Sequence, residues 1–137
     1  MKALSTAIIF IVYLAVLLRL VVFRNPLESA LVGENLMPFE TILMYLNGKP
    51  SLMIAIFNLV GNIALFIPLG IFASLLFRKA AWRHILIGGA LFSLVLETIQ
   101  LILQVGSFDV DDILLNTLGV ILGCALFAAI KKRYNHV

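Results

Sequence analysis

Charged residues and cysteine are scarce in this chain. Only 12% of its 137 residues are Asp, Glu, Lys or Arg, whereas 63% are hydrophobic, and the mean hydropathy is +1.14. Because apolar residues make up about half of an ordinary globular domain, a water-soluble fold of this composition would lack polar residues to cover its surface. The single cysteine, Cys124, excludes a disulfide framework within the chain and the cysteine spacing of structural zinc sites. The composition predicts a membrane protein.

The basic residues form no single patch. The net charge of +3 and the pI near 9.3 would suit a protein that binds nucleic acid. However, Lys and Arg stand mostly at the ends of apolar runs, where they act as signals of membrane topology. We therefore predict no nucleic-acid partner.

Four apolar runs are each long enough to cross a bilayer, since about 20 helical residues span roughly 30 Å. The first run follows Lys2 and exceeds the roughly 7–15 residues of a signal-peptide core, which predicts a retained anchor. The second contains Pro68, which cannot donate to the carbonyl of Ala64 and predicts a kink or break. We predict one all-α integral membrane domain, 1–137, with spans at about 4–23, 52–77, 85–103 and 113–130.

The charges between the spans predict the orientation. The loop after the second span and the C-terminal tail each hold three Lys or Arg, whereas the turn between the third and fourth spans holds three Asp and no basic residue. By the positive-inside rule both termini are cytoplasmic. The long first loop is then extracytoplasmic, and its apolar residues predict a short amphipathic helix at the membrane surface: Met37, Phe39, Ile42, Leu43 and Tyr45.

Polar residues inside the spans gather in their outer halves, and Glu97 is the most informative. Ser93, Glu97, Gln100 and Gln104 form one stripe of one helix, and Glu97 lies roughly 9–10 Å below the outer surface. An ionisable residue in a span costs roughly 2.5–3.5 kcal/mol, so a functional site is the default hypothesis. Arg19 is the one basic residue at comparable depth. A Glu97–Arg19 ion pair is our first hypothesis, and it would either serve a site or only lock two spans together.

Asp109, Asp111 and Asp112 allow two interpretations. Acidic side chains before the fourth span can cap its free N–H groups and complement its dipole. Alternatively, the three carboxylates form a site for a divalent cation or a cationic group. Their spacing differs from the DDxxD of prenyl-pyrophosphate enzymes.

Two further pairs have helical spacing. Asn58 and Asn62 are one turn apart and either join helices by hydrogen bonds or belong to the site. Gly119-x-x-x-Gly123 permits a close helix approach, within the chain or between copies in a homo-oligomer.

Several segments resemble the VanZ-like family. They run, in order, Asn35–Phe39, Asn58–Gly70, Glu97-Thr-Ile-Gln100 and Phe108–Gly119. Members often have an Arg shortly before the Phe-Asp pair, where this chain has Ser107. The resemblance implies a small multi-pass protein of the bacterial plasma membrane. The family is named for a protein that gives low-level resistance to teicoplanin, a glycopeptide with a fatty acyl tail, and far less to vancomycin.

The predicted function is binding of an amphiphile in an outward-facing polar pocket at the outer leaflet. The ligand would be a lipoglycopeptide or a lipid-linked envelope precursor, with membrane lipids as further partners and no cofactor. The candidate ligand-binding residues are Arg19, Asn58, Asn62, Glu97, Gln100, Asp109, Asp112 and Asn116.

Two alternatives remain open. One is an enzyme acting on a lipid-linked substrate, with Glu97 or Asp112 in acid/base chemistry and a metal on Asp109, Asp111 and Asp112. The sequence offers no pairing of nucleophile and base, which favours a binding protein over an enzyme. The other is a non-catalytic scaffold of envelope biogenesis, whose polar residues only hold helices together.

Overall fold

The computed structural model describes residues 2–22 and 34–134, which form five helices. They are α1 (Lys2–Val22), α2 (Glu40–Leu46), α3 (Leu52–Leu76), α4 (Trp82–Leu103) and α5 (Val110–Tyr134). The four longer helices, α1, α3, α4 and α5, are long and apolar enough to cross a membrane. Each covers its predicted span or ends within one residue of it. The all-α fold with four spanning helices is confirmed, whereas the sidedness in the membrane stays a prediction.

Local sequence explains where the helices begin and end. α3 begins after Ser51, whose Oγ accepts a hydrogen bond from the backbone N–H of Ile54 at 3.3 Å. α4 ends at Leu103, and the next residue, Gln104, has a left-handed backbone (φ 52°) and donates its N–H to the last turn. Of the kink or break predicted at Pro68, the break is absent, because α3 continues through this residue to Leu76, and the kink stays a prediction.

α1 and α4 run in one direction, and α3 and α5 run in the other. Tyr13 near the middle of α1 donates its hydroxyl to the Leu65 carbonyl at 2.7 Å, whereas the earlier Phe10 contacts the later Phe72, with tilted rings whose centroids are 5.3 Å apart. On α4 and α5 the order is also reversed, because Ser93 meets Asn116 and the earlier Gly89 meets Val120. The helices enclose an apolar core of Leu17, Val21, Phe66, Leu69, Leu96 and Val120.

α3 and α5 pack closely because glycines stand at their contact. A Cβ atom on Gly119 would overlap the Ile63 carbonyl oxygen, and one on Gly123 would overlap that of Ile67. Both glycines are buried within one chain. α3 occupies the Gly119/Gly123 face in this chain, and the homo-oligomer predicted through that face stays a prediction. Close packing inside the chain is the interpretation that the structure supports.

The two ends of the bundle differ in charge. We call the end that holds α2 and the turn between α4 and α5 the acidic end, after Asp109, Asp111 and Asp112. The opposite end, called the basic end, has Arg78, Lys79 and Arg83 around the α3–α4 loop and Lys131, Lys132 and Arg133 at the end of α5.

Candidate functional site

Polar side chains from the spanning helices and from the segment around α2 meet at the acidic end. Eleven of them are at most 7% exposed, and we call this set the polar cluster: Asn35, Thr41, Asn58, Asn62, Ser93, Glu97, Gln100, Asp109, Asp111, Asp112 and Asn116. The predicted stripe of α4 faces this cluster as far as Gln100, whereas Gln104 is exposed. Of the eight candidate ligand-binding residues, seven lie in the cluster, and Arg19 is exposed outside it.

Asp111 is fully buried and holds the beginning of α2. Its Oδ1 accepts the backbone N–H of Phe39 at 2.6 Å, and its Oδ2 accepts that of Ile42 at 3.0 Å. These are free N–H groups of a helix N-terminus, where a carboxylate also complements the helix dipole. The prediction that Asp111 caps the fourth span is wrong, because its oxygens point at α2, about 70 residues earlier in the chain.

Asp109 caps the fourth spanning helix instead. Its Oδ1 accepts the backbone N–H of Asp111 at 2.8 Å, in the first turn of α5, and the Nδ2 of Asn35 at 2.9 Å. Asn35 also donates Nδ2 to the Thr41 hydroxyl at 3.0 Å. Two backbone hydrogen bonds, from Asn35 N–H to the Phe108 carbonyl at 2.9 Å and from Val110 N–H to the Asn35 carbonyl at 3.1 Å, join the two segments.

Asn35 and Thr41 are buried in the cluster, although neither is among the site residues predicted from the sequence. Asn35 lies in the short segment Asn35–Phe39 that carries part of the family resemblance, and that resemblance was the available signal. The sequence around Thr41 does not distinguish it from a residue on the exposed face of an amphipathic helix. Its burial follows from the position of α2 against α5.

Asp112 and Gln100 tie helices together. Asp112 accepts a short hydrogen bond from Nδ2 of Asn62, which joins α5 to α3. Gln100 donates Nε2 to the carbonyl of Val21 at 2.6 Å, which joins α4 to the end of α1. Asn58 donates Nδ2 within its own helix, to Ile54 at 2.9 Å. The interpretation of Asn62 as a link between helices is therefore supported by its geometry.

Glu97 is 1% exposed, and its Oε2 accepts the backbone N–H of Asp109 at 3.1 Å. Arg19 is exposed, and it lies about 160° around α1 from the buried residues Leu17 and Val21. The turn before α5 thus provides one partner of Glu97. The Glu97–Arg19 ion pair stays a prediction.

Asn116 has an unsatisfied acceptor inside the cluster. Its Nδ2 donates to the Ser93 hydroxyl at 2.8 Å, while its Oδ1 has no hydrogen-bond partner and the residue is 2% exposed. An unpaired buried polar atom costs about 1–3 kcal/mol. A donor from a ligand or from water would remove that cost.

The three aspartates do not form the hypothesised cation site. Oxygen atoms of Asp109 and Asp111 point at backbone N–H groups and at the Asn35 amide, and Asp112 points at Asn62. Within residues 2–22 and 34–134, no group of three or more His, Cys, Asp or Glu side chains is arranged to hold a metal ion. Four of the six carboxyl oxygens of these aspartates already accept hydrogen bonds within the protein.

An apolar surface covers the outside of the cluster. Leu36, Met37, Phe39, Leu43 and Leu46, on α2 and the turn before it, are exposed, whereas Thr41 and Tyr45 face inward. The amphipathic helix predicted in the first loop is thus present. Its position at the membrane surface stays a prediction.

The model of the VanZ/LLP1 family matches residues 10–131, which include α3 and α4, most of α1 and α5, and the whole polar cluster. The chain belongs to the VanZ/LLP1 family. This membership confirms the resemblance and, together with the four apolar helices, a multi-pass membrane protein consistent with a bacterial plasma membrane.

One relative in this family is Protein VanZ of Enterococcus faecium, 30% identical over 78 residues. The aligned part is 57% of this chain and 48% of that relative, so the match spans about half of the relative's length. No solved structure matches the chain. The four segments that carry the VanZ resemblance are the ones that the fold brings together in the polar cluster.

Proposed function

We propose that this VanZ-family protein lowers the susceptibility of the cell to teicoplanin by binding an amphiphilic ligand at the acidic end. One observation carries the proposal: segments of the family motif that are far apart in sequence meet in one buried polar cluster beneath an exposed apolar surface. Helix packing does not require an exposed apolar surface next to a polar cluster, and solubility does not require it either. A ligand with a tail and a polar part fits both.

In this proposal the two parts of the site bind different parts of the ligand. The exposed apolar residues around α2, such as Phe39 and Leu43, contact the acyl tail, and the cluster binds the polar part. The ligand is a lipoglycopeptide or a lipid-linked envelope precursor. The positive-inside rule places the acidic end outside the cell, where both ligands occur.

The cluster is closed in this structure, so binding to it requires the segment Asn35–Leu46 to move. Movement breaks the hydrogen bonds of Asp111 to Phe39 and Ile42, each worth about 1.5–3 kcal/mol because the acceptor is a carboxylate. The outward-facing pocket predicted from the sequence is therefore proposed as the ligand-bound form. The unpartnered Oδ1 of Asn116 would accept a donor from the ligand.

The test compares drug susceptibility of cells that express the wild type, Glu97→Gln or Asp112→Asn, with protein levels in the membrane measured alongside. Glu40→Gln is the matched control, because Glu40 is an exposed carboxyl at the same end. We expect the wild type and Glu40→Gln to protect against teicoplanin more than against vancomycin, and the two cluster variants to lose protection at unchanged protein level. A wild type that gives no protection would refute the proposal.

A scaffold of envelope biogenesis is the second candidate, because the hydrogen bonds of Asp112 and Gln100 join different helices. It predicts that Glu97→Gln and Asp112→Asn lower the amount of folded protein and the protection in parallel. The enzymatic alternative has less support, since the aspartates that would hold its metal accept hydrogen bonds from the protein.

A further inference from the structure

An apolar cavity of about 430 Å³ lies at the basic end, between α1, α3 and α4. Its volume falls in the range of roughly 300–1,000 Å³ that small-molecule sites have. Its walls are almost entirely apolar, and the one ionisable side chain among them is His84, at the rim. Typical wall residues are Phe10, Leu14, Leu69, Ala73, Gly88 and Phe92.

The cavity follows the depth of one membrane leaflet. On α3 its lining extends from Leu69 to Phe77, and on α4 from Phe92 back to His84. Eight helical residues rise about 12 Å, and half of the hydrocarbon core of a bilayer is about 15 Å. A straight acyl chain that starts at the end of the bundle would therefore fill the cavity lengthwise.

The rim of the cavity is positively charged. Arg78 and Lys79 directly follow the lining residue Phe77, Arg83 directly precedes His84, and all three are exposed. The sequence has no Asp or Glu from residue 41 to residue 96 or after residue 112, so no carboxylate of the neighbouring helices neutralises these charges. Trp82, 68% exposed, stands beside them as an interfacial anchor.

We propose that this cavity binds an anionic phospholipid, with one acyl chain in the cavity and the phosphate group on Arg78, Lys79 and Arg83. The cavity and its rim match the two parts of such a lipid. Apolar walls bind an acyl chain, and clustered basic residues at a membrane surface attract anionic lipids. The positive-inside rule places the basic end in the cytoplasmic leaflet. The site is separate from the polar cluster, and the proposal stands without the proposed function.

Gly88 provides a way to block the cavity without disturbing the helices. A Cβ atom on Gly88 would meet no atom within 4 Å, so a larger side chain there enters open space. Gly61 on α3 is the matched control, because a Cβ there also meets nothing within 4 Å and Gly61 does not line the cavity.

The first experiment uses the wild-type chain and its single tryptophan, Trp82. The purified protein is placed in vesicles of phosphatidylcholine that contain increasing amounts of brominated phosphatidylglycerol, and in phosphatidylglycerol vesicles with brominated phosphatidylcholine. Bromine quenches tryptophan on contact. We expect brominated phosphatidylglycerol to quench at about fivefold lower mole fraction than brominated phosphatidylcholine. Equal quenching by the two lipids would overturn the proposal. This experiment uses only the wild-type protein, so its outcome does not depend on whether a variant folds.

The second experiment separates the cavity from its rim, with native mass spectrometry counting the phosphatidylglycerol molecules retained by detergent-purified protein. We expect Gly88→Leu to lose the retained lipid and Gly61→Leu to keep it. The combined variant Arg78→Gln, Lys79→Gln and Arg83→Gln should retain phosphatidylglycerol no better than phosphatidylcholine. The matched variant Lys131→Gln, Lys132→Gln and Arg133→Gln, at the same end, should keep the preference. If Gly88→Leu and Gly61→Leu retain the same amount of phosphatidylglycerol, the acyl chain of the lipid is not in the cavity. That result would overturn the proposal.

Discussion

Replacing Asp111 with Asn should release α2 from the rest of the protein. The carboxyl group of Asp111 accepts N–H groups with both oxygens, from Phe39 at 2.6 Å and from Ile42 at 3.0 Å. An amide keeps one acceptor and turns an N–H₂ group toward the other backbone N–H. The variant therefore loses one hydrogen bond to a charged acceptor, about 1.5–3 kcal/mol, and the favourable charge at the N-terminus of α2, about 0.3–1 kcal/mol.

The two losses add to roughly 2–4 kcal/mol of the free energy that keeps α2 in place, and this loss predicts a measurable change in the rate of amide hydrogen exchange. Amide hydrogen exchange by local opening follows the free energy of that opening, and each 1.4 kcal/mol is about a factor of ten. Exchange at the amides of Phe39 to Leu46 should thus become about 30-fold to 800-fold faster in Asp111→Asn. Hydrogen–deuterium exchange with mass spectrometry, on protein in lipid nanodiscs, measures this directly.

Asp112→Asn is the matched control, because it makes the same change one residue later, where the carboxyl group bonds Asn62 of α3. Exchange in α2 should stay at the wild-type rate in that variant. Unchanged exchange in α2 of Asp111→Asn would refute the reasoning. Faster exchange throughout α3, α4 and α5 would also refute it, since the loss would then be global and not confined to α2.

Three further predictions follow from single contacts, each checked by thermal unfolding in detergent. Gly123→Ala should destabilise the protein by about 1–3 kcal/mol, because the new Cβ overlaps the Ile67 carbonyl, whereas Gly61→Ala should cost nothing. Gln100→Leu should cost about 1 kcal/mol and speed amide exchange at the end of α1, and the exposed Thr98→Val should do neither. Ser93→Ala should cost about 1–3 kcal/mol because it leaves the Asn116 amide without its acceptor, and adding Asn116→Leu should recover most of that loss. Equal stability in each variant and its control would contradict the corresponding contact.

Features that depend on neighbouring residues could be predicted from the sequence. Hydropathy over about 20 residues predicts the four spans, and helical spacing predicts that Ser93, Glu97 and Gln100 share one face. The cost of a buried carboxyl group predicts that Glu97 lies among polar partners, as it does beside the Asp109 backbone.

Features that depend on which segments meet could not be predicted. The spacing of Gly119 and Gly123 indicates a close helix contact, but it does not distinguish α3 of the same chain from a second copy. An aspartate just before a helix indicates a cap for that helix, and only the position of α2 shows that Asp111 serves another one. The cavity at the basic end likewise requires the position of α1, because Phe10 and Leu14 form one of its walls.

The hydrogen bonds of the closed polar cluster predict which kind of ligand the proposed site would accept. A ligand that moves the segment around α2 removes the N–H donors that Asp111 and Asp109 now accept, and its own contacts must offset that loss. A ligand with ammonium, N–H or hydroxyl groups can replace those donors. A phosphate would instead face the carboxyl groups of Glu97, Asp109, Asp111 and Asp112. We therefore expect the proposed site at the acidic end to bind an amphiphile that bears amines more tightly than a phosphate-linked precursor. Competition decides between them: an alkyl amine should displace a bound lipoglycopeptide, and an alkyl phosphate of the same chain length should not.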